Sequence, residues 1–263
     1  MRFAAALLLL LGCAAAGAAD EPPAEIWPLV RSSLFGERPI VEDDSGRRLQ
    51  LTLPGRAADA AVVPLRLRYV PAPGEARARR VYLVIENNPS PVGAIFEFGP
   101  AAGATEVETR VRIEDYTWVR AIAETTDGAL VMASHYIKAA GGCSAPAGKT
   151  LAERLVGMGE MRWRIDDAGV DAARPVQLMV RHPNNSGLAM DQLTRLYDPP
   201  HFVRSVRVTR DGELVFAAEV DFTISENPAF RFSLAPGSQG RLHAEVVDSN
   251  DLRFESTTAV GLP

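Results

Sequence analysis

Hydrophobic and polar positions alternate along most of the chain with the period of a β-strand. Val63, Leu65, Leu67 and Tyr69 are separated by polar or small residues, so one face of that segment is apolar. Further segments carry the same alternation or a short apolar run, with turn-forming residues between them. They are 81–85, 94–98, 106–113, 119–125, 129–137, 176–181, 203–209, 213–220, 230–232, 242–247 and 252–256. The pattern predicts an all-β chain.

The spacing of these strands predicts two sandwiches. Strands that recur every ~8–12 residues, with turn signals between them, are typical of β-sandwich folds. Asp127-Gly128 and Asp211-Gly212 are hairpin signals, one in each half of the chain. The run SAPAGKT after residue 143 is small and polar, as linkers are. We predict two immunoglobulin-like β-sandwich domains in tandem, over 22–143 and 156–263, joined by a linker over 144–155.

A short helix is predicted before the first strands. In the run PPAEIWPLVRSSLF at 22–35, Ile26, Leu29, Val30 and Leu34 recur at helical spacing. Two prolines open the run, which is typical of a helix start. We expect the apolar face of this helix to pack on the strands that follow.

The first residues are typical of a secretory signal. Met1-Arg2 supplies the positive start, and residues 3–11 are apolar but shorter than the ~20 residues that span a bilayer. We therefore predict a signal peptide over 1–19, a periplasmic location and no spanning segment in the mature chain. The run Leu10-Leu11-Gly12-Cys13 also resembles a bacterial lipobox, and in that alternative Cys13 would carry the lipid of a lipoprotein.

Composition and charge exclude several classes of protein. A hydrophobic content of 47% is that of an ordinary folded protein. The formal net charge of −5 argues against a nucleic-acid partner, which requires a basic face. Asp43-Asp44 and Asp166-Asp167 are isolated acidic pairs, whereas calcium needs a fuller set of oxygen ligands. The sequence carries no phosphate loop, zinc spacing or serine–histidine–aspartate pattern, so we predict no cofactor.

The candidate chemistry centres on one cysteine. Cys143 follows Gly141 and Gly142, and the only other cysteine lies in the predicted signal peptide. A secreted protein normally pairs its thiols, so an odd cysteine is either reactive or paired between chains. Glycines remove side-chain bulk and free the backbone. We therefore predict an exposed thiol, Cys143, on a flexible arm that includes Gly141, Gly142 and Ser144.

The histidines offer this thiol no clear catalytic or metal partner. His135 lies on the strand before Cys143, and a strand-surface position explains it better than a Cys/His catalytic pair. Blue-copper sites need two histidines and a cysteine, but no histidine lies between 144 and 157. His182 and His201 lie beside prolines at turns, where we expect loop residues that could line a partner surface. We predict neither a catalytic residue nor a metal site.

The two halves resemble two subunits of one known system. The runs VYLVIENNPSPVGAIFEF, VETRVRI and VRAIAETTDGALVMASHYIKAAGGC resemble the SoxY sulfur carrier subunit. The runs MVRHPNNSGLAMD, PPHFVRSVRVTRDGELVF and ISENPAFRFSLAPGSQGRLHAEVVDSND resemble its partner SoxZ. Their order is similar to that of the fused SoxYZ-like carriers associated with quinoprotein dehydrogenases.

This resemblance implies a carrier protein that is not itself an enzyme. Cys143 would hold a sulfur intermediate covalently, as a thiosulfonate or persulfide, while separate periplasmic redox enzymes act on it. Those partners would be Sox-type enzymes or a quinoprotein dehydrogenase, and the two domains would pair within one chain. The residues after Cys143 are Ser144-Ala145-Pro146 where the family pattern has two glycines, and the arm is tethered at both ends.

Two other functions remain open at this point. A non-covalent accessory or chaperone protein for a periplasmic quinoprotein dehydrogenase would need no reactive thiol. A thiol-dependent enzyme would turn over substrate by itself, but the sequence places no general base in the arm.

Overall fold

The computed structural model describes residues 25–145, 148, 150–169, 171–191 and 194–261. The predicted signal peptide, including Cys13, and the first two prolines of the predicted helix lie outside these residues. Within the described ranges, no helix is both long enough and apolar enough to cross a membrane.

The described residues form two short helices and fifteen strands. The helices are α1 (Trp27–Phe35) and α2 (Leu151–Leu155). The strands are β1 (Ile40–Glu42), β2 (Leu49–Thr52), β3 (Val63–Tyr69), β4 (Ala78–Ile85), β5 (Val92–Phe98), β6 (Thr105–Val111), β7 (Thr117–Thr125), β8 (Leu130–Ile137), β9 (Met161–Ile165), β10 (Arg174–Val180), β11 (Val203–Arg210), β12 (Glu213–Val220), β13 (Ala229–Leu234), β14 (Gly240–Asp248) and β15 (Arg253–Val260).

The strands pack as two sheets around a shared apolar core, which confirms the predicted β-sandwich architecture and its N-terminal helix. One sheet has nine strands in the order β1-β8-β7-β4-β5-β12-β11-β14-β15. The other has six strands in the order β2-β3-β6-β13-β10-β9. In β3 every second residue is buried, as the alternating sequence predicted.

Each sheet continues from the first half of the chain into the second. In the nine-stranded sheet, β5 pairs antiparallel with β12 over five residues, from Ala94 opposite Val220 to Phe98 opposite Phe216. In the six-stranded sheet, β6 and β13 meet where Glu108 lies opposite Arg231. The two halves therefore join edge to edge, and neither edge strand of this pairing is left open to solvent.

A cluster of phenylalanines fills the core at this junction. The ring of Phe216 lies 5.0 Å from Phe232 and 5.8 Å from Phe230, both in the second half. It also lies 6.1 Å from Phe96 and 5.8 Å from Phe98, both on β5 of the first half. Burial of each such ring stabilises the fold by about 1.5–3 kcal/mol. The two halves thus share one core.

The sequence analysis missed β1, β2, β9 and α2. The three strands are short, with three to five residues each, so their alternation is hard to detect. Helix α2 lies within the segment predicted as a linker. It begins with a capping box in which Thr150 Oγ1 accepts the Glu153 N–H, and the Glu153 carboxylate accepts the Thr150 N–H. The Thr-x-x-Glu spacing is a signal for such a box.

A buried ion pair fixes α1 to the nine-stranded sheet. Arg120 Nε on β7 donates to Glu86 Oε1 at 2.7 Å, and both side chains are less than 10% exposed. The other Glu86 carboxylate oxygen accepts the backbone N–H of Trp27 in α1. The Arg120 guanidinium also lies over the Trp27 ring, 5.1 Å from its centroid. One carboxylate therefore links the helix to the sheet.

Replacement of Arg120 by alanine should lower the free energy of unfolding by about 3–5 kcal/mol, because Glu86 would stay buried without its partner. Urea denaturation followed by tryptophan fluorescence measures the change. Arg207→Ala removes an exposed arginine of β11 and should change stability by less than about 0.5 kcal/mol. Equal effects of the two substitutions would contradict this account.

Candidate functional site

Cys143 lies at the junction of the two halves, and it is buried. Only 2% of the residue is exposed, so the prediction of an exposed thiol was wrong. It is a free cysteine in the described part of the chain. The arm, Gly141 to Ser144, follows β8 and packs against residues of both halves instead of extending into solvent.

The two glycines of the arm allow this close packing. Gly141 adopts a φ of +78°, which favours glycine, and its N–H donates to the carbonyl of Glu114 at 2.7 Å. The Gly142 N–H donates to the carbonyl of Ile113 at 2.9 Å. A Cβ atom on Gly142 would lie 2.1 Å from the Ala60 carbonyl oxygen. The sequence analysis associated these glycines with flexibility. The docked arm requires glycine at 142 for a second reason, since a side chain there would overlap the Ala60 carbonyl.

The carboxylate of Glu114 accepts three further hydrogen bonds from the arm. Its Oε2 atom accepts the backbone N–H of Cys143 at 2.8 Å and that of Ser144 at 3.1 Å. Its Oε1 atom accepts the hydroxyl of Ser144 at 2.7 Å. Sequence reasoning missed Glu114, because it lies between β6 and β7, 29 positions before Cys143, and no local pattern relates the two residues.

Glu114 itself is held by the turn that follows β4. The side chain of Asn88 in this turn is buried. Its Nδ2 donates to the Arg112 carbonyl at 2.9 Å, and its Oδ1 accepts the Glu114 N–H at 2.9 Å. The connection from β6 to β7 is therefore fixed on both sides of Ile113.

The second half of the chain contacts the arm from the other side. Ser186 Oγ donates to the Cys143 carbonyl at 2.5 Å. The preceding residue, Asn185, exchanges two backbone hydrogen bonds with His201 and accepts a side-chain hydrogen bond from Arg154 of α2. Cys143 is thus enclosed by residues from both halves.

Arg112 brings a buried positive charge to the same region. Its guanidinium donates to the carbonyls of Phe222 and Ile224, each at 2.7 Å, and its backbone N–H donates to Thr223. Burial lowers the pKa of Arg112. These contacts tie the first half to the second directly beside the arm.

The thiol of Cys143 is protonated in this environment. Burial raises its pKa to about 12, and the negative charges of Glu114 and Asp221 act in the same direction, while Arg112 acts against them. Since the thiolate is the reactive form, the docked thiol is a poor nucleophile. The docked arrangement keeps the thiol in its protonated form.

His182 and His201 lie in the loops that the sequence predicted, and they form a cluster with Asp248 in which His182 and Asp248 are buried and His201 is partly exposed. The Asp248 carboxylate oxygen Oδ2 lies 2.7 Å from His201 Nε2 and 3.5 Å from His182 Nε2. The Asn184 N–H donates to His182 Nδ1 at 3.0 Å, so the proton of neutral His182 is on Nε2 and points to Asp248. Although these groups lie within 4.8 Å of one another, this protonation state favours a structural role over metal binding. His135 lies on β8, opposite Val119, but its Nε2 atom is buried, so it is not the strand-surface histidine that the sequence predicted.

The fold and the enclosed thiol define a two-part β-sandwich protein with a cysteine arm at the junction. The family model for the sulfur oxidation protein SoxY matches residues 31–143, and that for the sulphur oxidation protein SoxZ matches residues 161–259. The chain therefore belongs to the SoxYZ family of sulfur-oxidation carriers, with the SoxY and SoxZ parts fused in tandem. Proteins of this family are carriers and not catalysts.

Other comparisons add no functional argument. No curated protein matches the chain significantly. Among solved structures, a superoxide reductase (neelaredoxin) from Ignicoccus hospitalis is 20% identical over 38% of this chain and 93% of its own, with a TM-score of 0.30. A beta-glycosidase from Bacteroides vulgatus is 9% identical over 87% of this chain and 26% of its own, with a TM-score of 0.25. A glycosyl hydrolase family 2 member from Bacteroides cellulosilyticus is 11% identical over 76% of this chain and 24% of its own, with a TM-score of 0.21. These TM-scores are too low to support an inference.

Stability should fall as the pH decreases from about 6.5 to about 4. Burial, and then the charge of His201, lower the pKa of His182 from 6.5 to about 4. In this window His182 therefore binds a proton in the unfolded chain but not in the folded chain. This difference lowers the free energy of unfolding by about 3 kcal/mol. Urea denaturation at a series of pH values measures the slope.

The variant His182→Gln should flatten this slope, whereas His243→Gln, at a partly exposed histidine of β14, should leave it unchanged. Below about pH 4 the stability of both variants should continue to fall as the pH decreases, because the folded chain also lowers the pKa of Asp248. Burial acts to raise the pKa of Asp248, but hydrogen bonds from His201 and from two backbone N–H groups outweigh it and lower that pKa. A slope that persists between pH 6.5 and 4 in His182→Gln would assign the effect to other groups.

Substitution of Gly142 by alanine should expel the arm, because its new methyl group would overlap the Ala60 carbonyl. We expect faster reaction of Cys143 with a thiol reagent and a loss of about 1–3 kcal/mol in stability. Gly148→Ala is the matched control, since a Cβ there meets no atom within 4 Å. If both variants react at the wild-type rate, the steric role of Gly142 is wrong.

Proposed function

We propose that this chain is a periplasmic carrier that holds a sulfur intermediate covalently on Cys143 and presents it to partner redox enzymes. One observation carries the proposal: the SoxY match ends at Cys143, and the SoxZ match begins shortly afterwards at residue 161. The thiol therefore occupies the boundary between the two parts of a sulfur-oxidation carrier. Its arm would be formed by Gly141, Gly142 and Ser144.

The chemistry of the cargo explains why a carrier needs partners. Attachment of thiosulfate to the thiol forms one S–S bond and releases one proton and two electrons. Neither the thiol nor thiosulfate takes up these electrons, so the proposed step requires a partner redox enzyme that accepts them. Sox-type enzymes are the partners that family membership supports, and the link to a quinoprotein dehydrogenase rests on the sequence resemblance.

The proposed periplasmic location rests on two observations. Family members are typically periplasmic, and the N-terminal sequence is typical of a signal peptide over 1–19. The proposed division of the chain is a SoxY-like domain over 22–143, a linker over 144–155 and a SoxZ-like domain over 156–263. The two family matches fall inside these domains.

Burial of the thiol favours one competing function. A docked Cys143 with a pKa of about 12 also suits a non-covalent accessory protein, in which the cysteine is only part of the core. In that case a dehydrogenase partner would bind the domain surfaces, and removal of the thiol would not change its support. The variant Cys143→Ala separates the two functions directly.

Intact-protein mass spectrometry tests the carrier function on protein purified from cells that use the pathway. We expect mass increments of sulfur or sulfonate that reductant removes and that map to the Cys143 peptide. The variant Cys143→Ser should carry none of them while its far-ultraviolet circular dichroism stays that of the wild type. Asp115→Asn, at an exposed carboxylate near the arm, should load like the wild type.

Two results would reject the proposal. One is a persistent adduct on Cys143→Ser, which would place the cargo elsewhere. The other is an unmodified Cys143 in active cells, together with full support of dehydrogenase activity by Cys143→Ala, which would establish the accessory function.

A further inference from the structure

Glu114 is the charged residue whose side chain holds the arm. Its carboxylate accepts two backbone N–H groups and one hydroxyl from Cys143 and Ser144, at 2.7–3.1 Å. Hydrogen bonds to an ionised acceptor are roughly twice as strong as those between neutral groups. The backbone of Glu114 also accepts the Gly141 N–H, so one residue contacts nearly the whole arm.

We propose that Glu114 is a positioning residue that keeps the arm docked, and that Cys143 becomes reactive only when the hydrogen bonds to this carboxylate break. The proposal concerns the regulation of the site and rests on the proposed function only where it concerns sulfur cargo. Docking itself can be tested on the unloaded protein.

The structure holds Glu114 in a fixed position, and the charge of Glu114 acts directly on the thiol. Asn88 fixes the backbone of the Glu114 connection, and the buried Arg112 side chain anchors it to the second half. Burial is the main effect that disfavours the thiolate of Cys143, and the carboxylate charge of Glu114 disfavours it further. Release of the arm removes both effects at once, because the thiol then leaves the carboxylate and enters water. The same contacts thus control position and reactivity.

The second half of the chain supports the docked state through a weaker contact. Ser186 donates a single hydroxyl hydrogen bond to the Cys143 carbonyl, and the same hydroxyl accepts the Leu188 N–H. This contact is neutral, whereas Glu114 makes charge-assisted ones. We therefore expect the first half to dominate the docking of its own arm, with the second half closing over it.

The test is the rate at which iodoacetamide alkylates Cys143 in the purified full chain at a fixed, mildly alkaline pH. In this reaction the thiolate sulfur bonds to the reagent carbon, iodide leaves and the thiol proton passes to the buffer. We expect the wild-type chain to react far more slowly than the urea-unfolded chain. Glu114→Gln should react at least about tenfold faster than the wild type, because the amide keeps the size but loses the charge.

Two controls separate this role from general destabilisation. Asp115→Asn removes the neighbouring exposed carboxylate and should react at the wild-type rate. The rate for Glu114→Gln should also be independent of urea at concentrations well below unfolding, since undocking exposes little surface. A rate that rises steeply with urea would mean that the substitution acts through global unfolding, and it would overturn the proposal.

A second variant covers the case in which Glu114→Gln folds poorly. Ser144→Ala deletes one of the three side-chain contacts of Glu114 and should give a smaller but measurable increase in rate. Wild-type rates for both variants, or a wild-type chain that reacts as fast as the unfolded chain, would also overturn the proposal. Neither outcome depends on cargo, so a failure here is distinct from an unloaded Cys143 in the mass spectrum.

Discussion

The edge-to-edge pairing of β5 with β12 is the constraint on which the rest of the structure depends. It makes one sheet continuous across the two halves, and the Phe216 ring packs against phenylalanines from both of them. Because the halves are locked in one register, Arg112 reaches carbonyls of the second half and Ser186 reaches the arm of the first. The thiol is therefore enclosed because the two halves meet at this junction.

The buried thiol places a condition on the proposed carrier function. A thiol that held a sulfur cargo would have to reach a partner enzyme, whereas Cys143 is buried and protonated in this structure. The hydrogen bonds that hold the arm involve few residues and are concentrated on the Glu114 carboxylate, which is the basis of the proposed opening. Its two ends are tethered, which keeps an open arm near the junction where both halves present their surfaces.

Much of the fold followed from the sequence, and most of the site did not. Alternation located strands such as β3 and β6, and Asp211-Gly212 located a hairpin, because those signals are local. The short strand β1 escaped, because it pairs with β8 far along the chain. The glycines beside Cys143 suggested mobility, but the same lack of side chains allows tight packing against Ala60. Local sequence does not distinguish these two uses of glycine.

The sequence by itself determined the all-β architecture and the tandem SoxY and SoxZ parts, since each depends on local periodicity or on runs of residues that resemble a family. It also singled out Cys143 as the candidate site residue. Tertiary structure alone decided that the thiol is buried, that Glu114 and Ser186 hold it, and that His182 and His201 meet at Asp248. These contacts join residues that are about 30 to 65 positions apart. Their pairing is set by the register of strands across the junction, which no local pattern encodes.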